Sequence, residues 1–172
     1  DETVWIVFNG EIYNSPEIRE RLIGAGHSFN TLNSDTEVLL HLYEEKSEAM
    51  LDELNGMFAF VIYDRKRKRL FGARDRVGIK PFYFFKDAGL FAFASELKSL
   101  VALPAVSREL DFQSLYHYMT LLFVPGERTI FSDIKRLPPG HYFSFDISTR
   151  ELSIRRYWKL RTDNAEHNRS EA

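Results

Sequence analysis

The chain has 172 residues, 44% of them apolar and 15% aromatic, with a formal net charge of −2 and no cysteine. That length supports one domain with a substantial core and is too short for two full ones. The charge balance gives no global basic field for nucleic acid. The missing thiol excludes disulfides, thiolate metal sites and a cysteine nucleophile drawn from these residues, and no stretch approaches the roughly 20 consecutive apolar residues of a membrane span.

Asp1-Glu2-Thr3 lacks the charged and apolar regions of a signal peptide, so a cytoplasmic protein is expected. Val4-Trp5-Ile6-Val7-Phe8 reads as a buried strand, and Asn9-Gly10 directly after it as a tight turn, because both residues tolerate positive φ. A strand entered within three residues, with no initiator methionine, suggests a chain that begins inside a domain. Ser15 is placed to cap a short helix with Pro16 at its first position, Ile18 and Leu22 lie on one face, and Gly24 and Gly26 supply the stop. His27 to Leu32 reads as a brief extended piece. Ser34-Asp35-Thr36-Glu37 opens a second helix as a reciprocal capping box, with Val38, Leu39, Leu42 and Tyr43 as its apolar stripe. Helical spacing continues through Met50, Leu51 and Leu54 until Asn55-Gly56.

The middle is strand-rich, with runs at Met57–Asp64, Arg69–Arg74, Pro81–Phe85 and Leu90–Ala94. Their short connections join only antiparallel neighbours, which predicts a meander, and runs apolar on both sides predict a sheet covered on both faces. The basic run Arg65–Arg69 sits at a hairpin tip and reads as a solvated turn, so no nucleic-acid partner is expected. Ser95–Val101 predicts a helix. Asp111 caps another that carries Phe112, Leu115, Tyr116, Met119, Leu122 and Phe123 on a broad apolar face. Beyond Pro138-Pro139-Gly140, the segments His141–Phe145 and Leu152–Trp158 are set to pair, and residues 161–172 read as a polar tail or linker.

Chemistry-bearing patterns are few. The five histidines, His27, His41, His117, His141 and His167, show no H-x-x-x-H spacing, so a zinc site would have to be assembled by the fold alone, and no metal is expected. No G-x-S-x-G, phosphate loop or G-x-G-x-x-G occurs. What remains is Asn9-Gly10-Glu11 and Ser34-Asp35. An Asn amide and an adjacent Gly N–H at a strand end can aim two donors at one developing oxyanion, each donor worth about 3–4 kcal/mol of barrier. Glu11 and Asp35 can clamp an ammonium group, although Asp35 at a helix start is equally an ordinary dipole-compatible acid.

Five blocks, Asn9–Asn14, Ser34–Leu39, Leu54–Phe60, Ala73–Tyr83 and Ala94–Lys98, resemble in order and spacing the glutaminase domain of glutamine-hydrolysing asparagine synthetases. Pro125, Thr129–Phe131 and Leu137–His141 are similar to its later part. The resemblance implies an α+β fold of N-terminal-nucleophile type, a four-layer α/β/β/α sandwich of two antiparallel sheets, here expected to be incomplete at the N-terminus. Residues 1–160 would form the partial glutaminase domain and 161–172 the link towards a synthetase domain. It implies glutamine as ligand, Asn9 and Gly10 as oxyanion donors, and Glu11 and Asp35 as holders of the glutamine α-amino group. A terminal cysteine would attack the side-chain amide, and ammonia would leave through an internal passage for ATP-dependent amidation of aspartate.

The expected partner is a synthetase domain of the same chain, which would carry ATP and magnesium; this segment itself is expected to need no cofactor, and a homodimer is an admissible assembly. Arg74-Asp75 and Gly78-Ile79-Lys80 are similar to the family segment facing that domain. The departures are the absent cysteine and the absent S-G-G-x-D-S pyrophosphate loop, so the segment alone is expected to be inactive. The alternative is a non-catalytic scaffold of the same fold beside a synthetase acting on another acceptor.

Overall fold

The computed structural model describes residues 3–160, so the polar tail expected at 161–172 lies outside the described residues. The elements follow in the order β1 (Val4–Ile12), α1 (Ser15–Gly24), α2 (Asp35–Lys46), a 3-10 turn (Ser47–Asp52), β2 (Gly56–Asp64), β3 (Arg69–Arg74), β4 (Tyr83–Lys86), β5 (Phe91–Ala94), α3 (Leu97–Val101), α4 (Phe112–Leu121), β6 (Ile134–Arg136), β7 (His141–Asp146) and β8 (Leu152–Arg156). They build two antiparallel sheets, one ordered β1-β2-β3-β7-β8 and the other β5-β4-β6. The expected single meander is therefore split. The β2–β3 and β4–β5 hairpins form as their short connections require, but the chain changes sheets between β3 and β4.

The alternation of side chains along β2 explains why both of its faces are apolar. Phe58, Phe60 and Ile62 pack with Ile18, Leu22, Leu39 and Leu42 beneath α1 and α2. Ala59 and Val61 turn the other way, against Phe82, Phe84, Phe143 and Phe145 between the sheets. A third cluster, with Phe85, Leu100 and Ile134, lies on the outer side of the smaller sheet under α3. The result is the four-layer α/β/β/α arrangement.

Four local expectations are corrected. β1 does not turn at Asn9-Gly10: it stays paired through Gly10↔Phe58 to Ile12↔Gly56. The cap of α1 is Asn14, not Ser15, and its side chain is committed elsewhere, donating to the Glu53 carbonyl (2.9 Å) and accepting from the Asn55 N–H (3.0 Å). Residues 27–32 are irregular because Glu37 does not close the capping box. Ser34 accepts from the Glu37 N–H as expected, but the Glu37 carboxylate accepts from the amides of Asn30 (2.6 Å) and Thr31 (2.8 Å) and from the Thr31 hydroxyl. Finally, the apolar face of α4 is not buried. Asp111 caps the helix through the amides of Gln113 and Ser114, yet Phe112 and Met119 are 76% and 73% exposed. Among the described residues no helix is long and apolar enough to cross a membrane.

Candidate functional site

The site is built on the last residues of β1, an edge strand among the described residues. In an antiparallel ladder, successive N–H groups point alternately to the paired and the unpaired side. Tyr13 N–H donates to the Asn55 carbonyl (2.8 Å), so the N–H groups of Asn9 and Glu11 face β2. Those of Gly10 and Ile12 face the open edge. The Ile12 N–H finds the Asp35 carboxylate there at 3.1 Å, and Gly10 presents its N–H on the same edge, two residues away.

Close strand approach explains why residue 10 is glycine. An added Cβ would lie 2.1 Å from the Met57 carbonyl oxygen and 2.7 Å from Phe58 Cα, both rigid backbone atoms, and φ is +156°. Gly56, facing Ile12 two pairs further along, is confined in the same way, its added Cβ 2.3 Å from the Glu11 carbonyl oxygen. The two strands approach closely on both sides of Glu11.

Side chains alternate as the N–H groups do. Val4, Ile6, Phe8 and Ile12 point into the helix-side core, which leaves Asn9 on the opposite face. That face borders a cleft of about 280 Å³ between the two sheets, walled by Val7, Val61, Phe82 and Phe93 and closed by Ala94 and Ser95. The Asn9 carboxamide nitrogen donates to the Ser95 hydroxyl at 3.2 Å, fixing the amide across the cleft. One of its two hydrogens is thus used for positioning and one is left for a ligand. Glu11, two residues along on the face of Asn9, is exposed.

The structure therefore brings Asn9, Gly10 and Asp35 to one strand edge, with Glu11 beside them. Asp35 reaches it because the α2 N-terminus abuts the end of β1, and its carboxylate is already engaged by the Ile12 amide. From the sequence, Ser95 belongs to a helix start and to one of the five blocks that carry the family resemblance, with no role of its own in the site. Its contact with Asn9 spans 86 residues and no local spacing signals it.

Arg74 and Asp75, which the resemblance puts in a segment facing a further domain, are buried. The Asp75 carboxylate accepts from the backbone amides of Phe58 (3.3 Å), Val77 (3.2 Å), Ile79 (2.9 Å) and Lys80 (2.9 Å). The Arg74 guanidinium donates to the carbonyls of Gly78, Lys80 and Leu137, at 2.6–2.8 Å. Their role is to shape the 75–80 loop, which presents Val77 and Ile79 outward, 65% and 57% exposed. Burial, with the Arg136 charge, lowers the Arg74 pKa, and burial with the nearby Asp75 charge raises that of Tyr157, whose hydroxyl donates to the Arg74 carbonyl.

Known proteins are similar to this chain along most of its length. A family model described as a glutamine amidotransferase domain matches residues 1–158. The chain is 42% identical over 164 residues to asparagine synthetase (glutamine-hydrolyzing) 3 of Bacillus subtilis, covering 94% of this chain and 26% of that protein. It is 43% identical over 159 residues to asparagine synthetase (glutamine-hydrolyzing) 1 of the same organism, covering 92% and 25%. The chain thus spans about a quarter of the length of these relatives. Among solved structures, a glutamine phosphoribosylpyrophosphate amidotransferase from B. subtilis aligns with a TM-score of 0.62 at 19% identity, over 91% of this chain and 30% of that one. A glutamine aminotransferase class-II domain protein from Silicibacter pomeroyi aligns at 0.56 and 14%, over 92% and 70%. At these identities the structures share the fold.

Proposed function

The chain belongs to the glutamine amidotransferase domain family, and from that membership we propose that it forms the oxyanion and ligand-holding side of a glutaminase site, in a cytoplasmic asparagine-synthetase-like enzyme. The observation that carries this reading is the paired presentation of the Asn9 amide and the Gly10 N–H at the edge of β1 beside the cleft. Attack of a thiolate on the glutamine side-chain carbonyl carbon places negative charge on the carbonyl oxygen. Two fixed donors stabilise that charge more than they stabilise the neutral amide, which is the condition for lowering the barrier. The thiolate itself would come from outside these 172 residues, which hold no cysteine.

The rest of the edge fits the substrate's other end. Glu11 and Asp35 supply carboxylates for the α-ammonium group, and Asp35 stays aligned because the Ile12 amide holds one of its oxygens. Ammonia set free beside Asn9 meets the aromatic walls of the cleft, which disfavour its protonation by excluding water. Amidation of aspartate, with ATP and magnesium, would belong to a synthetase domain of the same protein. In the full-length enzyme, Asn9→Ala should abolish most glutamine-dependent synthesis and spare synthesis from free ammonia, since only the first forms the oxyanion; equal loss of both activities would refute the assignment.

A further inference from the structure

On the helix side of the larger sheet, well removed in chemistry from the glutamine site, two imidazoles face each other with the same nitrogen. His27 follows α1, its N–H donating to the Leu22 carbonyl at 3.0 Å, and His41 lies in the middle of α2. Their Nδ1 atoms are 3.1 Å apart. The Glu44 carboxylate, one turn after His41, is 3.1 Å from the same His41 Nδ1. One ligand atom from each of His27, His41 and Glu44 can be chosen so that all three lie within 4.8 Å of one another. Ligand atoms on a tetrahedral zinc, with bonds of about 2.0–2.1 Å, stand roughly 3.3 Å apart, so the two 3.1 Å separations already match a coordination edge and the third group needs only a small shift to join them.

The far sides of the rings strengthen the case. His27 Nε2 is 3.1 Å from Glu45 Oε1, and His41 Nε2 is 3.9 Å from Glu37 Oε1. A ring that gives its Nε2–H to a carboxylate presents a bare lone pair at Nδ1, the arrangement that orients metal-binding histidines. His27 has that arrangement, and the His41 Nδ1 that faces it also lies within reach of the Glu44 carboxylate, so a cation among the three would engage all of them at once. The rings are also braced: Phe29 meets His41 edge-on at 4.6 Å, and the Arg19 guanidinium covers the Phe29 ring at 4.1 Å.

We propose that His27, His41 and Glu44 bind a divalent transition-metal ion of the zinc class, with Glu45 as the carboxylate behind the His27 imidazole. Two nitrogens and one carboxylate oxygen suit zinc and its neighbours and are a poor set for calcium or magnesium. The ion ties His27, just past the end of α1, to α2, the helix whose first residue is Asp35, so its role is to stabilise the helix layer. Neither the donors nor this role depends on the glutaminase assignment.

The test uses tag-free protein of the full chain, freed of metal by chelation, titrated with Co2+ and then Zn2+. One equivalent of Co2+ should bind with visible d–d absorption, be displaced by Zn2+, and be accompanied by a rise in the thermal midpoint. His27→Ala and His41→Ala should lose stoichiometric binding, and Glu45→Gln should weaken it about 10–100-fold. Glu45→Gln lies at a partly exposed carboxylate and keeps the assay informative if a histidine variant fails to fold. The proposal is overturned if the wild-type chain binds no stoichiometric ion, in which case a single proton shared between the imidazoles explains their contact. It is equally overturned if binding is undiminished in the folded variants.

Discussion

The Asn9 carboxamide and the Ser95 hydroxyl meet at 3.2 Å across the cleft between the two sheets, although they are 86 residues apart in sequence. One residue thus carries the proposed oxyanion donor and the other fixes where it points. In the full-length enzyme, Ser95→Ala should lower glutamine-dependent turnover about 2- to 12-fold, the value of one neutral hydrogen bond, against about 10²–10³-fold for Asn9→Ala. Ser95→Thr, which keeps the hydroxyl, should restore most of the loss. Steady-state rates with glutamine and with free ammonia measure both effects, and a Ser95→Ala enzyme impaired equally with ammonia would contradict the positioning role.

Two glycine substitutions should move stability in opposite directions. Gly10→Ala places a methyl against the backbone of Met57 and Phe58 and should cost on the order of 3–4 kcal/mol, the upper range for single substitutions. Gly24 ends α1 and has nothing within 4 Å of an added Cβ, so Gly24→Ala should gain about 0.4–1 kcal/mol. Urea unfolding midpoints of the two variants beside the parent measure the contrast.

A polar cluster at the other end of the helix layer sets part of the acid sensitivity. The Tyr43 hydroxyl donates to Asp64 Oδ2 (3.1 Å) and accepts from Arg69 (3.0 Å), whose guanidinium also reaches Glu48 (2.7 Å). Burial pushes the Asp64 carboxyl up, but the Arg67 amide, the Tyr43 hydroxyl and the Arg67 guanidinium together hold it below its ordinary 3.8. A folded-state pKa below the unfolded one means stability that is present above the unfolded value and lost as pH falls through the folded one. Stability should therefore fall below about pH 4, and Asp64→Asn should flatten that limb in a series of denaturant titrations.

Removing the hydroxyl of Tyr43 leaves both Asp64 and Arg69 short of a partner. Tyr43→Phe should cost about 1–3 kcal/mol, which for a chain of this size lowers the thermal midpoint by roughly 2–4 °C per kcal/mol. An unchanged midpoint by calorimetry would show that water replaces the hydroxyl without loss.

Asp75→Asn tests the loop that presents Val77 and Ile79. Four backbone N–H groups converge on the two carboxylate oxygens, and an amide would replace one acceptor by a donor facing donors. The substitution should cost about 3 kcal/mol or more and raise hydrogen exchange in the loop at residues 77–80 before the sheets.

Much of the fold was legible because periodicity reports burial directly. The alternation in Phe58-Ala59-Phe60-Val61-Ile62 and the stripe Val38, Leu39, Leu42, Tyr43 fall where the core lies. What was not legible depends on distant partners. Asn9-Gly10 has the composition of a turn, and only β2, closing against it, holds it extended. Asn14 is diverted to Glu53 and Asn55, some forty residues on, so its neighbour Ser15 reads misleadingly as the cap. The stripe on α4 marks amphipathicity correctly, but periodicity does not say whether another layer covers it. Of the candidate site, the residue types were readable, whereas the donor geometry and Ser95 needed the sheets to be assembled.

The paired close approach at Gly10 and Gly56 constrains how the gene for this segment can vary. Every single-nucleotide missense change in a glycine codon adds a Cβ, and at both positions that atom meets backbone at 2.1–2.3 Å. In a saturation-mutagenesis library, codons 10 and 56 should therefore behave as internal null references. Substitutions at Glu11, exposed between them, can be scored on the same strand segment for ligand binding separately from folding.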